Sequence, residues 1–209
     1  MRRLVISLVQ SINGSFAQDG WSTGVSTDAD FRNFIALRRG ASAIVIDRRT
    51  ALNPQLPVVN APGKALEHTP VHVLTESDPV PLQAALTEAG LDYRARSFTP
   101  DTIAEVVASL ETKVSGTDSQ GSSGAVASAE GNGSAGAADA SEMILCEAGP
   151  NLSFRLLDAY PGAELVLSVS PLYIHSLGSH FSQLQARIDL HLIDVRSEDD
   201  QVFLHYVRA

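Results

Sequence analysis

From residue 143 to residue 152 the chain reads Met-Ile-Leu-Cys-Glu-Ala-Gly-Pro-Asn-Leu. Four apolar residues in succession, Met143–Cys146, predict a strand buried on both faces. Ala148, Gly149 and Pro150 then predict a tight turn that opens a helix over 151–159, with Leu152, Leu156 and Leu157 directed inward. A strand that passes through a small-residue turn into a helix is the building unit of α/β proteins with a mainly parallel sheet. Exposed amides at such a helix start can hold a phosphate. Glu147 can accept hydrogen bonds from a polar heterocycle or a ribose; as a carboxylate near a helix start it is also favoured by the helix dipole alone.

The same alternation extends in both directions. Residues 4–9 predict a first strand rather than a signal peptide, because Ser7 interrupts the short apolar stretch and no small-residue cleavage site follows. Thr27, with Asp30 three residues on, predicts a capped helix running to Arg39 and stopping at Gly40. Strands are predicted over 43–46, 71–74, Tyr93–Ser97 and 164–168. Helices are predicted to open at Pro81 and at Pro100. The end reads as a hairpin of 188–196 and 201–207, an antiparallel edge on which His191 and His205 face each other. Residues 115–141 break the pattern. They hold no aromatic residue and one β-branched aliphatic, Val126, too little apolar surface to offset the entropy of ordering. The segment reads as a disordered insertion in a single domain spanning 1–209. Deleting 116–140 is expected to leave the melting temperature nearly unchanged, since loop length costs little per residue; a large fall in a thermal melt would make the segment structural.

Composition excludes several functions. The chain has 209 residues, 15 basic against 24 acidic, and a net charge of −9. An acidic chain lacks the basic face needed for nucleic acid or anionic membrane, and no apolar run reaches the ~18 residues of a membrane span. One cysteine excludes an internal disulfide and a cysteine-rich zinc site, and fits a reducing, cytoplasmic setting. No P-loop and no Gly-x-Ser-x-Gly elbow is present. Six scattered histidines, at 68, 72, 175, 180, 191 and 205, predict no metal site.

In parallel sheets ligands bind beyond the carboxyl ends of the strands, which singles out the loops 10–26, 47–57, 75–80 and 147–151. In the first, Gly14 permits close backbone approach and Asn13 offers both a donor and an acceptor. In the second, Thr50 can bond a phosphate or amide, and Arg48 and Arg49 can hold an anion. Arg38, at the end of the first helix, can pair a phosphate or cap the helix.

Taken in order, these pieces resemble the reductase domain of the riboflavin-pathway deaminase–reductase, in the dihydrofolate-reductase-like family. Ser11-Ile12-Asn13-Gly14-Ser15-Phe16-Ala17 is similar to its Ser-Leu-Asp-Gly-Arg/Lys-Ile-Ala. The helix ending in Leu37-Arg38 matches its Leu-Arg. Ala43-Ile44-Val45-Ile46, Thr50 and Asn53-Pro54-Gln55-Leu56 stand at its strand, Gly-x-x-Thr loop and Asn/Asp-Pro-x-Leu turn. Residues 147–152 stand at its Glu-Gly-Gly-Pro-x-Leu, and Ser170-Pro171-Leu172 resembles its Ala-Pro strand break. The resemblance implies a three-layer αβα fold with a mainly parallel mixed sheet. It implies reduction of a pyrimidine or pterin-like substrate by NADPH, and a homodimer formed through the terminal strands. It also implies roles. Asn13 and Glu147 would be the catalytic residues; Ser22, Arg38 and Leu56 would face substrate. Gly24, Asp47, Thr50, Thr75, Ala148, Gly149, Pro150, Asn151 and Leu152 would line the cofactor. NADPH rather than NADH rests on the resemblance alone, since no arginine is placed at a 2′-phosphate.

Four residues depart from the family's pattern. Asn13 replaces an aspartate, Ser15 a basic residue, and Asp47 and Ala148 each a glycine. Alanine at a positive φ would cost about 1 kcal/mol, and a carboxylate near a pyrophosphate repels it. These departures leave a second expectation open: a catalytically weakened nucleotide- or metabolite-binding homologue. The zinc-deaminase motif of the bifunctional relatives cannot be built with one cysteine.

Overall fold

The computed structural model describes residues 2–54, 56–113, 142–175 and 187–209; the segment 115–141, His180 and Gln55 lie outside the described residues. The elements run β1 (Arg3–Ser11), α1 (Asp28–Arg39), β2 (Ala41–Asp47), α2 (Arg48–Ala51), β3 (Val71–Thr75), α3 (Pro79–Glu88), β4 (Tyr93–Ser97), α4 (Ile103–Ala108), β5 (Met143–Cys146), α5 (Pro150–Ala159), β6 (Glu164–Ser170), β7 (Leu190–Glu198) and β8 (Gln201–Arg208). A single 3-10 turn, Ser22–Gly24, sits between β1 and α1. The strands form one sheet in the order β4-β3-β2-β5-β1-β6-β8-β7. β1 to β6 are mutually parallel, and the terminal hairpin extends them antiparallel through β8.

Alternation along the strands builds two cores. Leu4, Ile6 and Leu8 of β1, Val45 of β2 and Ile144 and Cys146 of β5 point to one face, where α4 and α5 pack through Ile103, Val107, Leu156 and Leu157. Val5, Ile44, Ile46 and Leu145 point to the other, met by Leu82 and Leu86 of α3, Ala51 of α2 and Leu37 of α1. The result is the three-layer αβα arrangement with a mainly parallel mixed sheet. Strands with apolar side chains on both faces are why 43–46, 71–74 and 143–146 read as continuous apolar runs.

The caps explain the helix boundaries. Thr27 accepts from the Asp30 amide and Gly40 ends α1, as expected. α3 starts at Pro79 rather than Pro81, because Asp78 accepts from the Val80 amide and proline at the first helical position loses no hydrogen bond. α4 starts at Ile103, since Thr99–Thr102 form a hydrogen-bonded turn first. The two hairpin histidines do not face each other: His205 pairs with Asp194 and His191 with Val207 across the β7–β8 register. Counted from the Glu198–Gln201 pair at the turn, antiparallel pairing already sets Asp194 and not His191 opposite His205, before the register shift between Leu192 and Asp194 is reached.

His205 instead reaches Glu164 (2.8 Å), which also takes a two-point contact from Arg3 at 2.6 and 2.8 Å. Partial burial raises the Glu164 carboxyl, but the Arg3 and His205 contacts outweigh it and hold the group below its ordinary value. A lowered carboxylate stabilises the fold above its unfolded pKa, and that contribution is lost as pH falls through the folded one. Glu164→Gln is therefore expected to flatten the acid limb of a stability–pH curve; an unchanged limb would show that the cluster contributes nothing. His72, in β3, is buried, and burial followed by the charges of Arg96 and Arg94 pushes its pKa down to about 4. It is neutral at pH 7 and donates from Nε2 to the Glu111 carbonyl at 2.9 Å.

Candidate functional site

Six parallel strands end on one edge of the sheet. β2 and β5 are neighbours there, so their following loops, 47–57 and 147–151, meet although about a hundred residues separate them in sequence. Two side-chain contacts converge there, one from the end of α1 to Glu147 and one between the two loops. Arg38 grips Glu147 with two bonds, Nε to Oε1 and Nη2 to Oε2, both 2.6 Å. Asp47 accepts from the Thr50 amide at 2.8 Å through Oδ1 and from the Gly149 amide at 2.6 Å through Oδ2.

The Arg38–Glu147 pair is largely removed from water, with side chains 19% and 5% exposed. The Phe34 ring lies 4.2 Å from the guanidinium carbon of Arg38 and covers it. Burial raises the Glu147 carboxyl above the ordinary range, while Arg38 pulls it back. A bidentate guanidinium contact is the strong form of the charge-assisted hydrogen bond, and it aligns the carboxylate plane. Arg38 thus neither caps α1 nor stands free for a phosphate with its whole fork; it backs Glu147.

Asp47 is the N-cap of α2, and it bridges to the N-cap of α5, which is Gly149. A Cβ built on Gly149 would lie 3.2 Å from Asp47 Oδ2, so the missing side chain is what allows the carboxylate so close. Ala148 does not carry the expected strain: it is absent from the residues with positive φ. Its methyl is buried in the core beside Cys146 and Leu152, and its carbonyl accepts from Ser153 Oγ at 2.9 Å. Pro150 brings no amide hydrogen, and Leu152 turns its side chain into the core. Asn151 is exposed on the first turn of α5. Burial pushes the Cys146 thiol up to about 12, which makes it a packing residue and not a nucleophile.

Asn13 holds the loop after β1 to the chain after β6. Its Nδ2 donates to the Ile174 carbonyl at 2.9 Å, and its Oδ1 accepts from the Ile174 amide at 3.1 Å and from Ser11 Oγ at 2.8 Å. The Ser15 amide closes the turn on Ser11 Oγ at 2.9 Å. Three of the four amide-group bonds of Asn13 are thereby used, which makes it a positioning residue. Asn13→Ala is expected to cost about 1–3 kcal/mol, the penalty for leaving a buried donor and acceptor unpaired. A urea melt checks this; an unchanged midpoint would return Asn13 to the candidates for direct ligand contact.

The remaining residues spread along the edge. Ser22 and Gly24 form the 3-10 turn, where a Cβ on Gly24 would sit 2.7 Å from Gln18 Cβ; glycine is needed there for packing against Gln18. Leu56 is exposed. Thr75 ends β3 and accepts from the Ser77 amide at 3.2 Å. It adjoins a shallow hollow of about 280 Å³ lined by Glu76, Asp78, Ser97 and Thr102 among others. Glu76 is paired with Arg155 of α5.

Sequence reasoning did not single out Trp21. It walls a cleft of about 600 Å³ with Arg48, Arg49, Leu52, Asn53 and Pro54. Arg49 lies over the indole at 4.8 Å and donates to the Gly20 carbonyl at 2.7 Å. The signal was available: this is the one tryptophan of the chain, in the loop that follows β1. A flat aromatic wall with two guanidinium groups suits a planar, anionic heterocycle.

The strand order, the helix layers and the antiparallel terminal strands are those of the dihydrofolate-reductase-like fold. More narrowly, the fold is that of the pyrimidine reductases of riboflavin biosynthesis. Over its whole length the chain is similar to a pyrimidine reductase-like protein from Corynebacterium diphtheriae, with TM-score 0.66 and 17% identity over 92% of that chain. It is similar to the diaminohydroxyphosphoribosylaminopyrimidine deaminase/5-amino-6-(5-phosphoribosylamino)uracil reductase of Thermotoga maritima, with TM-score 0.56 and 11% identity. The chain spans 57% of the length of that protein. It is likewise similar to the riboflavin biosynthesis reductase of Saccharomyces cerevisiae, with TM-score 0.53 and 14% identity over 89% of that chain. At these identities the likeness is one of fold. No family model and no curated protein matches the sequence. Among the described residues, no helix is long and apolar enough to cross a membrane.

Proposed function

We propose that this chain is an NADPH-dependent reductase of a pyrimidine, of the 5-amino-6-ribosylaminouracil phosphate kind, or of a pterin-like ring. The observation that carries the reading is the buried Arg38–Glu147 pair on the ligand edge of this fold. A carboxylate held in one orientation suits the paired N–H donors of a pyrimidinone or pterin. The two-point grip uses Nε and Nη2 of Arg38, leaving the Nη1 donors for a substrate anion. The Trp21 cleft gives a flat ring a place to stack. When bound, a reduced nicotinamide supplies the hydride; the chain's own residues orient the ring and exclude water. A homodimer belongs to the same proposal: Leu192, Ile193 and Val195 of the edge strand β7 are each more than half exposed. So does a cytoplasmic setting.

The test is a calorimetric titration with NADPH and NADH, followed by the loss of NADPH absorbance on adding the aminouracil substrate. Micromolar NADPH binding and substrate-dependent oxidation are expected. No binding of either nucleotide at millimolar concentration would overturn the reading. One observation favours the second reading, a metabolite-binding homologue without turnover: the Asp47 carboxylate already takes the Gly149 amide. In that case NADPH binds weakly and no substrate is reduced.

A further inference from the structure

At the carboxyl edge of the sheet a side-chain carboxylate occupies a backbone amide at a helix start. The N-cap residue of α5, a helix of 10 residues, is Gly149, and the amides of a helix start can in general serve as donors to a phosphate. In this chain that donor, the Gly149 N–H, points at Asp47 Oδ2 from 2.6 Å. The other carboxylate oxygen takes the Thr50 amide at 2.8 Å. Both contacts hold the full negative charge of an acceptor-only group on two oriented amides, as a bound phosphate would be held. Residue 149 being glycine lets the carboxylate approach. The backbone at Asp47 is ordinary extended chain, φ −90° and ψ 168°, so no strain pulls the side chain away. Arg48 and Arg49 follow on α2, but Arg49 is engaged with Trp21 and Gly20 and does not neutralise Asp47.

We propose that Asp47 is a specificity-determining residue: an internal carboxylate that holds the Gly149 amide against phosphate and sets how strongly this edge takes a dinucleotide. This rests on the reading of the edge as a nucleotide site. A ligand that brings a phosphate here must displace a charge of the same sign and win over its two hydrogen bonds. A ligand that brings only the ring and ribose meets no such competitor. The edge therefore discriminates against phosphate at this point relative to a phosphate-free nucleoside, the opposite of what an empty helix start does.

The experiment compares wild-type protein with Asp47→Ser and Asp47→Asn, using NADPH, inorganic pyrophosphate and reduced nicotinamide riboside as calorimetric probes. Serine keeps a cap for the Thr50 amide and is too short and uncharged to hold Gly149. Asparagine removes the charge and keeps the shape. NADPH and pyrophosphate are expected to bind at least tenfold tighter to Asp47→Ser, with Asp47→Asn between it and wild type. Riboside affinity is expected to stay within twofold, a pattern that general loosening of the loop would not give. If phosphate-bearing ligands bind both variants no tighter than wild type while both still melt cooperatively, the proposal fails and the reductase reading stands. If the riboside gains as much as NADPH, Asp47 acts on the fold and not on the anion, and the proposal also fails. If no probe binds any of the three proteins at millimolar concentration, both the proposal and the nucleotide reading fall.

Discussion

Arg38→Ala is expected to lower stability by about 3–5 kcal/mol, the cost of leaving a buried carboxylate without its partner. Glu147 is the group left behind, with its side chain 5% exposed. The loss has a signature in pH. Burial already raises the Glu147 carboxyl, against the pull of Arg38. A raised carboxylate means that the folded chain holds its proton to higher pH than the unfolded chain. Stability from this group therefore falls as pH rises through the interval between the ordinary and the raised value. Without Arg38 the interval widens, so the deficit is largest at neutral pH and shrinks on acidification. Urea melts at neutral and mildly acid pH check this. Adding Glu147→Gln to Arg38→Ala should restore much of the loss, because the buried charge is gone. A deficit that is the same at every pH, with no such rescue, would mean that Arg38 acts through packing on Phe34 rather than through Glu147. Substrate reduction is expected to be lost in both single variants, since each removes one half of the oriented pair.

Trp21→Ala is expected to weaken binding of NADPH or of the pyrimidine by roughly ten- to a hundredfold, following the ~1–3 kcal/mol that one base–aromatic stack is worth. The indole is only partly buried and sits in a loop, so stability should change little. That separates a ligand wall from a packing residue. A variant with unchanged affinity for both ligands would empty the Trp21 cleft of a role. Arg49 packs on the same ring, and its loss should reproduce part of the effect.

The elements were legible where burial is complete and caps are local. Residues 143–146 and Tyr93–Ser97 coincide with β5 and β4, and Thr27 and Gly40 bound α1 as their chemistry requires. Pro81 misled because the stronger start, Asp78 followed by Pro79, lies two residues earlier. The site was legible only as separate fragments. Arg38 read as a phosphate ligand or a helix cap, and Glu147 as a heterocycle acceptor or a helix-start carboxylate; that they bind each other depends on β2 lying beside β5. Asn13 read as a catalytic amide because its partner, Ile174, lies 161 residues further on.

The sequence by itself determined the strands and most of the helices, which loops follow the carboxyl ends of the parallel strands, and, through the resemblance, that Asp47 and Ala148 stand where a glycine is expected. Hydrophobic runs, caps and turn residues act over a few neighbours, so they can be read in order along the chain. Tertiary structure alone decided what those departures mean. Ala148 is absorbed into the core, while Asp47 closes on the Gly149 amide. Both outcomes follow from the adjacency of two strands distant in sequence, which is set by the packing of the whole sheet and by no local pattern.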